Sequence, residues 1–124
     1  MPISQIQAEM LALSKNVCKA WVNFNGQGAV SIIDSFNVSS IDDNGTGDQT
    51  VNMTNDFADT NYSILGWARS SLTGTRSDSF NVRSQADYVK SVNSARFYTS
   101  YTNGSAQVRS DSPEISIHFY GELA

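Results

Sequence analysis

From Lys19 onward, apolar and polar residues alternate with a period of two, in short runs cut by Asn, Asp and Gly, and this pattern is the strongest constraint on the fold. Ala20, Val22 and Phe24 alternate with Trp21 and Asn23; after a turn at 26–28, Val30 and Ile32 alternate with Ser31. That predicts a β-hairpin. Phe36 and Val38 open the next strand, and Val51 and Met53 lie on one face of its expected partner. The D-N-G-T-G segment at 43–47 is the turn between them, and its Asn-Gly pair is the strongest local turn signal in the chain. Further strands are expected at 62–69, 79–84, 95–102, 107–110 and 114–120. About eight short antiparallel strands joined by turns predict an all-β chain, an antiparallel β-sandwich of jelly-roll or lectin-like form.

Residues 1–18 follow a different period. Ile3, Ile6, Met10, Leu13 and Val17 fall at spacings of 3, 4, 3 and 4, the seam pattern of a coiled coil. Ser4 followed by Gln7 matches a capping box at the start of a short α-helix. A helix this short is marginal in water by itself, so its apolar stripe must pack on something. The ordinary partner is the chain's own β domain; the alternatives are a stalk on a trimer axis and a peg in a larger assembly. Isoleucine at both kinds of seam position favours three or four helices over two. The expected division is therefore 1–18, a helix for oligomerisation or attachment, and 19–124, the β-sandwich domain of a homotrimer.

Composition narrows the function classes. At 124 residues the chain holds one domain with one modest core. Charged residues are only 16%, while Ser, Thr and Asn make up roughly three residues in ten, a neutral and turn-rich surface. The net charge of -4, with the later arginines scattered, argues against nucleic acid as a partner, because phosphate neutralisation needs clustered cations. Cys18 is the only cysteine, so no intrachain disulfide forms, and oligomerisation is the obvious remaining staple. The opening MPISQIQAEML lacks the basic start and continuous apolar core of a signal peptide. No apolar run approaches the roughly 18 to 20 residues that cross a bilayer. The expectation is a soluble product of the cytoplasm with no membrane partner. Sequons at Asn37, Asn44, Asn52, Asn61 and Asn103 are read as a consequence of Asn and Ser abundance.

The segments AWVNFNG (20–26), DSFNVSSI (34–41), DNGTGD (43–48) and NYS (61–63) together resemble the C-terminal β domain of bacteriophage tail fibres and related virion structural proteins. The resemblance spans 19–62 closely and 63–121 loosely, ending on a closing strand, EISIHFYG, at 114–121. It implies a virion structural protein made in the host cytoplasm, with other tail or capsid proteins as partners. The second half, where such domains vary most, is where partner choice would sit.

Carbohydrate sites pair aromatic faces, which cover sugar CH groups, with side chains that hydrogen-bond hydroxyls. The loops at 72–78 (LTGTRSD) and 87–93 (DYVKSVN) carry suitable chemistry. Trp67, Arg69, Arg76, Tyr88, Arg96 and Asn103 are the candidate receptor-binding residues, drawn from a pool that also holds Tyr98 and Tyr101. Each has an ordinary structural reading as well; Tyr98 and Tyr101, three apart, fall on opposite strand faces, one of them towards the core. Catalytic signals are few. His118, the sole histidine, lies on a strand where Ser116, His118 and Tyr120 share one face and Ile115, Ile117 and Phe119 the other. No Ser sits in a nucleophile elbow, no His/Cys cluster has metal spacing and no glycine-rich loop precedes a helix. Asp42, Asp43, Asp48, Asp56 and Asp59 do not match a twelve-residue calcium loop and read as turn formers. The expectation is a non-enzyme without metal or cofactor. Its first function hypothesis is a tail fibre or adhesin component binding host-surface polysaccharide. The second is a decoration (cement) protein of the capsid or tail, and the third a free lectin-like module.

Overall fold

The computed structural model describes residues 15–70, 80–84 and 87–124. Nine strands run through them: β1 (Cys18–Asn25), β2 (Ser31–Phe36), β3 (Val38–Gly45), β4 (Asp48–Met53), β5 (Ser63–Ala68), β6 (Phe80–Arg83), β7 (Ser94–Asn103), β8 (Ala106–Arg109) and β9 (Ile115–Tyr120). All pairings are antiparallel. The first sheet has the order β2-β1-β9-β5; the second has β3-β4-β7-β6, with β8 added beside β7. The described residues are thus all-β, built of two antiparallel sheets.

The period of two places the core. Ala20, Val22 and Phe24 of β1 and Ile115, Ile117 and Phe119 of β9 point inward from the first sheet, meeting Val51, Met53, Ala95 and Phe97 of β4 and β7. Phe97 packs edge-on against Phe119 across the two sheets, with centroids 6.1 Å apart. The β4–β5 connection contributes Phe57 and Tyr62, stacked at 4.4 Å. Tyr62 buries its ring and donates its hydroxyl to the Ser91 carbonyl at 2.7 Å. Burial holds that phenol above its ordinary pKa, since the ionised form would lose its hydration.

A corner joins the two sheets, and a tight turn lies within the second. Asn37, between β2 and β3, carries the chain from the first sheet to the second with φ of 56°, a left-handed conformation that Asn tolerates better than most residues. Its side chain holds the corner, Nδ2 donating to the Lys19 carbonyl at 3.1 Å while Oδ1 accepts from the Asn55 backbone N–H at 2.8 Å. Gly47 ends the β3–β4 turn with φ of 61°, and a Cβ there would stand 2.4 Å from the Thr99 carbonyl oxygen.

Ile3, Ile6, Met10 and Leu13, the expected helical seam, lie outside the described residues. Val17, its last position, is half exposed in the bend before β1 and not in a helical turn. The ladder explains this boundary, because Cys18 already pairs with Tyr120 of β9.

Candidate functional site

The outer faces of the two sheets differ in kind. On the second sheet the outward side chains are polar and bonded to one another. Asp48 is nearly fully buried there, accepting from Arg96 Nε at 2.8 Å and Nη2 at 2.6 Å, with Arg109 Nη1 at 3.6 Å. The Arg96 bonds hold the Asp48 carboxyl below the usual carboxylate range, and Asp48 in turn raises the Arg96 guanidinium. Asp48 is therefore a strand residue in an ion-pair cluster and not a turn former, whereas Asp43 and Asp59 do cap turns, accepting from the Gly45 and Asn61 N–H groups. Tyr98 is buried on this outer face, beneath Arg109 (3.9 Å from the ring centroid) and Arg96 (5.4 Å). As their spacing implies, the two tyrosines take opposite faces of β7: Tyr101, half-buried, shares the inward face of Phe97, while Tyr98 is buried on the outer face under guanidinium groups.

On the first sheet the registers align an apolar row across all four strands. Phe36 pairs with Trp21, Trp21 with His118, and His118 with Leu65. Phe36 and Leu65 are 55% and 65% exposed. The Trp21 and His118 rings stack at 6.4 Å, and Cys18 Sγ lies 3.8 Å from His118 Nδ1. The adjoining row runs Asp34, Asn23, Ser116 and Trp67, with the Ser116 hydroxyl donating to Asn23 Oδ1 at 2.6 Å. Trp67, 54% exposed, closes that polar row with an aromatic ring. An aromatic row beside a hydrogen-bonding row matches the two demands of a sugar: cover for CH groups and partners for hydroxyls.

A cleft of about 490 Å³ opens where β5, an edge of the first sheet, meets β6, an edge of the second. Gly66 permits the approach, since a Cβ there would already touch Val82 Cγ1 at 3.1 Å. Ile64, Val82 and Phe97 give the cleft an apolar floor, and Arg83, Tyr88 and Lys90 stand on its walls with Arg96. Lys90 donates to the Tyr62 carbonyl and sits over the Tyr62 ring at 4.4 Å.

The candidate residues from the sequence fall in separate places. Tyr88 and Arg96 meet at the cleft; Trp67 lies on the outer face of the first sheet. Arg69 follows β5 and faces Glu114, Nε to Oε2 at 3.6 Å. Asn103 is the exposed last residue of β7, paired with Ala106 of β8, and Arg76 lies outside the described residues. Sequence reasoning missed Phe36, Trp21, His118 and Leu65 as a row because they come from four strands. The expectation that Phe36 and Val38 open one strand is corrected: Phe36 ends β2 on the outer face, and the left-handed Asn37 turns Val38 into β3 and the core. Among the described residues no three His, Cys, Asp or Glu are grouped to hold a metal ion.

No protein-family model, curated protein or solved structure matches the chain.

Proposed function

We propose that this protein is a bacteriophage virion structural protein, a short tail fibre or adhesin component that binds host-surface glycans without catalysis. In this reading the two sheets make a jelly-roll or lectin-like sandwich, three copies associate through residues 1–18, and many weak sugar contacts add by avidity. The resemblance over 19–62 supports the virion assignment. The observation that carries adhesion is the pair of rows on the first sheet, Phe36–Trp21–His118–Leu65 beside Asp34–Asn23–Ser116–Trp67. Leu65 favours a second reading, a decoration protein that lays this face on the capsid or tail, because an aliphatic side chain covers protein better than it covers sugar.

Immunogold labelling of virions with antibody to the recombinant protein separates the two. Label at the tail, together with capture of host polysaccharide that is lost in Trp67→Ala, is the expected result. Label over the head replaces adhesion with decoration, and particles without label overturn the virion assignment.

A further inference from the structure

The cleft between β5 and β6 has a charge at odds with the rest of the molecule. The whole chain carries 12 acidic against 8 basic residues, yet among the described residues those lining the cleft include three cations and no carboxylate. Asp59 and Asp87 adjoin lining residues in sequence, but neither lines the cleft. The three cations are not equivalent. Arg96 is committed to Asp48 by two hydrogen bonds, and Lys90 is held by the carbonyl and ring of Tyr62. Arg83, at the exposed end of β6, forms no ion pair with any described residue. A guanidinium without an ion pair among the described residues, lining the same cleft as a positioned ammonium over an apolar floor, is suited to a planar or tetrahedral anion, which it meets with two parallel N–H donors. The volume, about 490 Å³, suits a small ligand or one unit of a polymer.

We infer that this cleft binds one anionic sugar unit of a glycan. The anionic group faces Arg83, with Lys90 as the second charge; the Tyr88 ring covers the apolar side of the sugar, and Thr60 and Ser84 supply hydroxyl partners from the rim. The inference rests on the adhesion reading and gives it a ligand class that the apolar row cannot supply, because no cation is among the residues of its two rows. A carboxylate and a phosphate satisfy the same donors, so the probes must separate them.

Calorimetric titration of the full chain with trigalacturonate, with its neutral methyl ester and with glucose 6-phosphate makes the test. At least one charged probe is expected to bind tenfold or more tighter than the neutral ester, and to weaken as salt is raised. Preference between the two charged probes identifies the anion as carboxylate or phosphate. Arg83→Gln should remove the charge preference and Arg83→Glu should abolish binding, with circular dichroism unchanged because Arg83 is exposed. Equal binding of charged and neutral probes, no binding of either charged probe, or an Arg83→Glu variant that still binds would overturn the inference. Failure of the adhesion reading looks different. In that case the protein captures no host polysaccharide, charged or neutral, and the tail carries no label. Capture that persists without regard to charge removes the cleft assignment alone.

Discussion

A buried carboxylate between two arginines is a stability device with a pH signature. Asp48 has its folded pKa lowered by the Arg96 hydrogen bonds, so its contribution is fully present above the unfolded pKa near 3.9 and is lost as pH falls through the folded value. Asp48→Asn should therefore cost about 2 kcal/mol near neutral pH, the scale of a hydrogen bond to a charged group. The difference from wild type should shrink towards zero in strong acid. Urea unfolding of both proteins from pH 7 to pH 2 checks this, and parallel curves at all pH values would refute it. Gly47 is constrained by geometry instead. A methyl group there meets the Thr99 carbonyl at 2.4 Å and must hold φ of 61°, so Gly47→Ala should lose between about 2 and 4 kcal/mol from left-handed strain plus overpacking. Gly104, with φ of 63° and open space around it, is the control, and Gly104→Ala should cost only about 1 kcal/mol.

Strands were legible in the sequence where alternation and turn chemistry coincide. The expected strands at 95–102, 107–110 and 114–120 correspond to β7, β8 and β9, whereas the turn expected at 43–47 narrows to Thr46 and Gly47, because Asn44 and Gly45 continue β3 and Gly45 pairs with Asp48. Pairing between distant strands was not legible. Nothing local says that β9 inserts between β1 and β5, because that choice is made by side chains from separate runs meeting in one core. The corner at Asn37 was missed for a related reason: a single left-handed residue leaves no periodic trace, yet it moves the chain from one sheet to the other. Asn37→Ala should destabilise by about 1 to 3 kcal/mol, combining the backbone cost with loss of the Lys19 and Asn55 bonds. Asn37→Gly should recover the backbone part only, giving an intermediate midpoint in thermal unfolding. If Asn37→Gly proves as unstable as Asn37→Ala, the backbone part of this account is wrong.

At the scale of the molecule, the asymmetry between the sheets decides what the protein can meet. On the second sheet, outward polar groups bond to one another in the Asp48 cluster and at Ser100, whose hydroxyl donates to Asn81 Oδ1 at 3.0 Å. The first sheet instead leaves Phe36, Leu65 and Trp67 more than half exposed on one face. Exposed apolar groups aligned in this way mark a contact surface. A second copy of the chain, a different protein and a glycan would each use it differently. Leu65→Ser combined with Trp67→Ser alters two outward β5 residues while leaving the inward Ile64 and Ala68 in place, so the fold should survive with a change of less than about 1 kcal/mol. Sedimentation then separates the occupants. A variant that keeps the parent's assembly state but no longer captures host polysaccharide places the glycan on this face, the outcome expected under the proposed adhesion. A variant that falls to monomers makes the face a subunit interface, and sugar contact must then come from the cleft beside β6, where Arg83 remains exposed. A variant that keeps both its assembly and its glycan capture, yet fails to join the particle, leaves the face to a virion partner and removes the sugar role from it.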